Sequence, residues 1–242
     1  MQIENEKWKK IMDEKFKNYG YEVMNQEVVL TPEEIYFIGK SIGGKYLDYD
    51  YISAMQDIEK QKGIRRQEII RQLEQKGYAE ENFFGELEFG EECLDLLRPL
   101  YQGEYEAELI LREKEGGALH YKFHHWEGRI LAVSCQNMDY RLRMIEKAEL
   151  ESLLQSLLPA ESKEAEEAEC ISAKEAERSI ILKGTHIGKD ACLYFYGEKE
   201  GCFYEADLAR ISGKELKKLK KKTVYEQAIK ILRGEWENGL SR

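Results

Sequence analysis

The segment LHYKFHHWEGRILAVSC, residues 119–135, has two runs of strand-forming residues on either side of Glu127-Gly128. A second segment of the same kind, ACLYFYGEKEGCFYEAD at residues 191–207, has Glu200-Gly201 at the equivalent turn. Aromatic and β-branched residues favour strands, and two turn residues between two such runs are typical of a β-hairpin. The sequence therefore predicts one antiparallel hairpin in each segment.

Both hairpins belong to longer segments that repeat one pattern. Residues 103–158 and 178–233 each contain two or three short strands and then an amphipathic helix, from about Glu146 to Leu158 in the first copy and from Ser212 onward in the second. One such unit has too little apolar surface to bury its sheet face alone. We therefore predict an α+β fold whose antiparallel sheet is built from two similar strand-strand-strand-helix units related by a quasi-twofold axis. Such a scaffold favours binding over catalysis.

Helix signals dominate the sequence before these units. Thr31 is an N-cap, a proline occupies the first helical position, and Glu34 closes a capping box. Two further helices are expected over residues 51–61 and 66–76, the second of which ends at Gly77.

A short ribbon over residues 83–90 and a helix that runs to Pro99 come next. Three helices, a ribbon and a helix in this order predict a winged-helix-like N-terminal part, and such a part could bind DNA. The basic residues that would face DNA phosphates are Lys60, Lys62, Arg65, Arg66 and Arg71. Because the ribbon is crowded with glutamates, which repel phosphates, we favour a structural or protein-binding role and keep DNA binding as the alternative.

Composition shifts divide the chain into four parts. The predicted parts are an N-terminal amphipathic helix and lead-in at 1–28, a first half with the winged-helix-like segment and first sheet unit at 29–158, an acidic linker at 159–169, and the second sheet unit with C-terminal helices at 170–242. In the first part, an apolar stripe predicts a helix over residues 4–19. Capping boxes at Ser172 with Glu175 and at Ser212 with Glu215 predict two more helices, the second of which opens KELKKLKKK.

Composition also limits the class of protein. The formal net charge is −10, which opposes general attraction to phosphate backbones or anionic lipid. No apolar run reaches the roughly 20 residues that span a bilayer, and the first residues lack the apolar core of a signal peptide, so we expect a cytoplasmic protein. Five widely spaced cysteines without a Cys-x-x-Cys pair indicate reduced thiols.

Signatures of catalysis or metal binding are weak. His120 and His124 share one face of a predicted strand and could ligate a metal, but His125 points to the opposite face and no acid or cysteine completes a ligand set. No nucleotide-binding glycine pattern and no nucleophile motif is present, and the lysine-rich run at 214–222 is interpreted as a solvated helix face. We therefore expect no enzyme activity, no cofactor and no metal.

The order of these segments resembles a known family. VVLTPEEIYFIGKSIG, then LEQKGYAEEN, then ELEFGEECLDLLRPLY resembles the first half of the EspG-type chaperones of type VII secretion, and EYEAELILREKEGGALHYKFHHWEGRILAVSC with its later echo is similar to that family's quasi-twofold sheet. The EsaE-like accessory proteins are the nearer comparison, and the resemblance covers about residues 28–235. It implies a cytoplasmic chaperone whose partner is a helical secreted protein or heterodimer.

The same resemblance implies a contact surface on a sheet face and its hairpin loops. We therefore predict that Tyr121, Phe123, Trp126 and Tyr140 bind the partner, because aromatic residues at hairpins often anchor interfaces. For Tyr121 and Phe123, which share one face of a strand, filling the core is the open alternative.

Overall fold

The computed structural model describes residues 27–44, 64–136, 139–158, 170–186, 191–206, 215–219 and 221–236. These residues form an α+β fold with five helices, a large antiparallel sheet and a separate two-stranded hairpin. The predicted helices at 4–19 and 51–61 and the predicted linker at 159–169 lie outside the described residues.

The helices are α1 (Pro32–Ser41), α2 (Ile64–Gln75), α3 (Glu91–Gln102), α4 (Lys147–Leu157) and α5 (Lys221–Leu232). The strands are β1 (Val28–Leu30), β2 (Ala79–Glu81), β3 (Leu87–Phe89), β4 (Tyr105–Glu113), β5 (Ala118–Trp126), β6 (Arg129–Gln136), β7 (Asp139–Ile145), β8 (Cys170–Ser172), β9 (Arg178–His186), β10 (Ala191–Lys199), β11 (Cys202–Ala206) and β12 (Glu215–Leu219). The chain divides into two compact units, residues 1–103 with 136–144 (unit 1) and residues 104–135 with 145–242 (unit 2).

In unit 1, local sequence signals place the helix ends. The Thr31 side chain accepts from the Glu34 N–H, and the Glu34 carboxylate accepts from the Thr31 N–H, so the predicted capping box starts α1. Helix α2 ends at Gly77 with φ +74, where the Tyr78 N–H donates to the Leu73 carbonyl in a Schellman arrangement. Strand β1 pairs antiparallel with β7.

Helix α3 differs from its prediction, because it runs through Pro99 to Gln102 rather than ending at the proline. Proline inside a helix removes one hydrogen bond and costs about 3 kcal/mol. Leu100 and Tyr101, on the turn after it, are 3% and 0% exposed. The burial of these two large side chains offsets the cost and keeps the last turn helical.

Unit 2 contains eight antiparallel strands in the order β6-β5-β4-β9-β10-β11-β12-β8. Alternate residues of the central strands point into one core, which α4 and α5 cover. Helix α4 contributes Leu150 and Leu154 to this core, and α5 contributes Val224, Ala228 and Ile231. We call this side of the sheet the core face.

The two predicted hairpins are confirmed, and the structure shows their turn type. Glu127 and Gly128 have φ of +47 and +77, and Glu200 and Gly201 have φ of +51 and +78. Positive φ at both central residues defines a type I′ turn, whose twist matches that of the flanking strands. Strands β5 and β6 are therefore joined in the same way as β10 and β11.

Two predicted helices are wrong. Residues 215–219 form β12 rather than a helix that begins at Ser212, because this segment pairs with β11 and β8, which satisfies its backbone polar groups. After Ser172 the chain makes a turn instead of a helix. The Glu175 carboxylate still accepts from the Ser172 N–H at 2.8 Å, but β9 begins at Arg178 and leaves too few residues for a helix. The winged-helix likeness and the quasi-twofold relation stay predictions.

Candidate partner-binding surface

Two of the four aromatic residues predicted to bind a partner lie on the core face of unit 2. The rings of Tyr121 and Phe123 stack with centroids 6.2 Å apart. Phe123 is 0% exposed, and Tyr121 is half-buried against the same core. The position of Phe123 agrees with the core alternative, while Tyr121 keeps part of its surface accessible.

The other two aromatic residues lie elsewhere. Trp126 ends β5 on the opposite side of the sheet from Phe123, and the Arg129 guanidinium lies 5.9 Å from the centroid of its ring. Tyr140 is a half-buried residue of β7 in unit 1, where its Cα is paired with that of Leu30. Within β5, Tyr121 and Phe123 therefore lie on one side of the strand and Trp126 on the other.

A different surface of unit 2 carries partly accessible apolar side chains. On the side of the sheet opposite the core face, Ile110 lies across from Ile181 of β9, and Ile181 lies across from Phe195 of β10. These three residues are half-buried, and Leu193, two residues before Phe195, is 52% exposed. We call the surface formed by Ile110, Ile181, Leu193 and Phe195 the open face.

Charged side chains border the open face. Glu108 Oε1 lies 2.6 Å from His120 Nε2, and Glu108 Oε2 lies 3.6 Å from Lys183 Nζ. The hydrogen bond with His120 lowers the pKa of the Glu108 carboxyl, and the nearby cations Lys122 and Lys183 add to this effect against the opposing effect of burial. The carboxylate is therefore ionised at neutral pH and gives this border a fixed negative group.

The three histidines of β5 have separate partners, and Glu108 is that of His120. His124 Nδ1 lies 3.8 Å from a Glu106 oxygen, and His125 lies on the core face with its ring 5.2 Å from that of Tyr105. Burial lowers the pKa of His125 to about 4, so it is neutral at neutral pH. In the described parts of the chain, no group of three or more His, Cys, Asp or Glu side chains is placed to hold a metal ion.

The arginines of the DNA alternative lie on α2. Arg66 and Arg71 are exposed there, and the side chain of Arg65 lies outside the described residues. The β2–β3 hairpin, which the winged-helix interpretation places near DNA, carries exposed glutamates at 80, 81, 86 and 88. Four negative charges on that hairpin oppose binding to a phosphate backbone.

A sequence signal for the open face was present in the central strands. Residues 192–196, CLYFY, and 179–182, SIIL, lack the strict alternation of apolar and polar residues that marks a sheet with one solvated face. Such runs predict apolar side chains on both faces of β9 and β10. Among the cysteines whose side chains the structure describes, Cys93 and Cys202 are buried, Cys192 is half-buried, and no disulfide joins them.

Among the helices that the structure describes, none is long and apolar enough to cross a membrane.

No protein-family model matches the sequence, and no curated protein does. A solved structure matches in fold: the Mycobacterium tuberculosis type VII secretion system chaperone EspG5 in complex with the PE25–PPE41 dimer. The TM-score is 0.55 and the sequence identity is 7%, with 88% of this chain and 98% of that chain covered. The chain is therefore similar in fold to a type VII secretion chaperone.

Proposed function

We propose that the chain is a non-catalytic cytoplasmic chaperone or adaptor that binds a helical protein or heterodimer destined for type VII secretion. The observation that carries this proposal is the fold likeness, which extends over 88% of this chain and 98% of a chain in the EspG5 complex. That complex includes the PE25–PPE41 dimer. The likeness covers nearly the whole of both chains rather than one common motif.

The open face is the surface that we assign to the partner. Ile110, Ile181, Leu193 and Phe195 form an apolar stripe across three adjacent strands, and ionised side chains border it. An amphipathic helix can lay its apolar face on such a stripe while its polar side chains meet the border. Trp126 is on the same side of the sheet at the end of β5, and we assign it a separate contact with the partner.

The remaining predicted contacts have different parts in this proposal. Tyr121 lies on the core face and is not part of the contact that we assign to the open face, while Tyr140, half-buried in unit 1, stays a predicted contact. Phe123 is buried, so its contribution is to support β5 from the core face. In the predicted quasi-twofold arrangement, the sheet unit at residues 103–158 supplies Ile110 and Trp126. The sheet unit at residues 178–233 supplies Leu193 and Phe195.

Co-expression with helical secreted proteins encoded beside this gene tests the proposal. We expect a soluble complex with wild type, a Kd raised at least about tenfold by Leu193→Glu, and a smaller loss with Trp126→Ala. Leu119→Glu is the matched control, because Leu119 is 45% exposed but belongs to the alternate set of β5 that includes Phe123. If wild type forms no complex, or if both leucine variants bind equally well, the proposed function is wrong.

Mobility-shift measurements with genomic DNA fragments address the alternative. The acidic hairpin and the charge of −10 lead us to expect no sequence-selective shift. A salt-sensitive, selective shift that Arg66→Glu with Arg71→Glu abolishes would replace the chaperone with a DNA-binding regulator.

A further inference from the structure

Two aromatic side chains stand almost fully in solvent at the turn between β2 and β3. Phe83 is 98% exposed and Phe84 is 83% exposed. Their rings contact each other edge to face, with centroids 5.8 Å apart. Single exposed apolar side chains are common, but two adjacent phenylalanines form an apolar patch at the outermost point of a hairpin.

The turn that carries these rings is held by its own hydrogen bonds. Asn82 Oδ1 accepts from the backbone N–H groups of Phe84 and Glu86, both at 2.9 Å, and Asn82 Nδ2 donates to Glu86 and Glu88 carboxylates at 3.2 and 2.9 Å. Gly85, with φ +75, donates its N–H to the Asn82 carbonyl at 3.0 Å. The two rings are thus presented on an ordered loop, which lowers the entropy lost on binding.

The base of the hairpin is fixed within unit 1. Ala79 is paired with Phe89 and is only 2% exposed, and the Gly90 N–H donates to the Tyr78 carbonyl at 3.3 Å. A short hairpin with a fixed base and an apolar tip has the geometry of an anchor. Aromatic anchors of this kind carry a large share of the binding energy in protein interfaces.

Charge limits what the tip can bind. Residues 79–89, AEENFFGELEF, contain four glutamates and no lysine or arginine. Anionic lipid and nucleic acid are repelled by such a hairpin. A protein surface with lysine and arginine around an apolar cleft is complementary to it, because the cleft buries the rings and the basic rim meets the glutamates.

We propose that the Phe83–Phe84 tip is a docking anchor for a separate protein whose apolar cleft is rimmed by lysine and arginine. The residues of this anchor belong to unit 1, and its occupant is inferred from the hairpin alone, independently of the open face and of the function proposed above.

Photo-crosslinking tests this inference in the full-length chain. p-Benzoylphenylalanine replaces Phe84 in cells that express the chain from its own gene, and adducts are identified by mass spectrometry. The same amino acid at Glu115, in the exposed turn between β4 and β5, is the control. We expect one protein to crosslink at position 84 and not at 115, through a peptide that carries lysine or arginine beside apolar residues.

The second readout is the Kd between this chain and the partner protein that crosslinking identifies, purified separately. We expect Phe83→Ser with Phe84→Ser to raise its Kd at least about tenfold while leaving the Tm unchanged, since both side chains lie in solvent. Glu80→Lys with Glu81→Lys should weaken binding as well, and salt should weaken wild-type binding.

Other outcomes overturn the proposal. One is an adduct yield at position 84 no higher than that at position 115. Another is crosslinking only to lipid, to a second copy or to another segment of the same chain. A third is a crosslinked peptide surrounded by acidic residues. Binding to vesicles of phosphatidylcholine, with or without phosphatidylglycerol, that depends on Phe83 and Phe84 would assign the tip to a membrane instead.

Discussion

Lys76 Nζ lies 2.7 Å from both carboxylate oxygens of Glu34. The Glu34 side chain is 0% exposed and that of Lys76 is 35% exposed. The Lys76 ammonium therefore supplies the counter-ion of a buried carboxylate. Lys76 also donates to the Val29 carbonyl at 3.2 Å. One side chain after the end of α2 thus joins the start of α1 to β1, and both partners belong to unit 1.

The Lys76→Met variant should be markedly less stable. It leaves the Glu34 carboxylate buried without its counter-ion, and we expect the free energy of unfolding to fall by about 2–4 kcal/mol, measured by urea denaturation. Adding Glu34→Gln should recover part of this loss, because a neutral amide needs no counter-ion. A free energy for Lys76→Met within about 0.5 kcal/mol of wild type would show that the ion pair contributes little.

Gly39→Ala should destabilise the chain although alanine is the better helix former. A Cβ at position 39 overlaps the ring of Tyr101, which is fully buried and donates its hydroxyl to the Ile35 carbonyl. We expect a loss of about 1–3 kcal/mol instead of the gain of about 1 kcal/mol usual for this exchange. Lys40→Ala, at the exposed neighbouring position, is the control and should change the Tm little. A stabilised Gly39→Ala variant would contradict the packing seen here.

The type I′ turns should gain stability from residues that adopt positive φ more readily. Glu127→Asn and Glu200→Asn remove a glutamate from φ of +47 and +51, and each should raise the free energy of unfolding by about 0.5–1 kcal/mol. Glu115→Asn, at an exposed position in the β4–β5 turn, serves as the control. Thermal unfolding of the three variants checks this. Equal effects at all three positions would mean that backbone strain is not the cause.

Stability should depend on pH through His125. Burial lowers its pKa from the ordinary value of 6.5 to about 4, so between these pH values the unfolded chain binds a proton that the folded chain does not. The stability that depends on neutral His125 is fully present above pH 6.5. As the pH falls towards 4, the free energy of unfolding decreases by an amount on the order of 3 kcal/mol. Urea denaturation at several pH values should show a shallower loss for His125→Gln than for wild type. His120→Gln is the control, and an unchanged profile for His125→Gln would refute the assignment.

Much of the local structure was predictable because its causes lie within a few residues. Thr31 and Glu34 cap one helix, Gly77 ends another, and Glu127-Gly128 and Glu200-Gly201 turn two hairpins, each through backbone geometry that neighbouring residues impose. The binding residues were less predictable. The aromatic pattern of β5 identified Tyr121 and Phe123, but it could not show which side of the strand α4 and α5 would cover.

The sequence alone determined the α+β class, the helix caps and both hairpins, since these depend on short-range sterics and hydrogen bonds. Tertiary structure decided the rest. Leu216 and Leu219 have the spacing of a helix face, yet residues 215–219 form a strand because β8 and β11, distant in sequence, pair with them. Packing of two helices on one side of the sheet buried Phe123 and left Leu193 in solvent. Long-range pairing and burial depend on contacts that no short window of sequence contains.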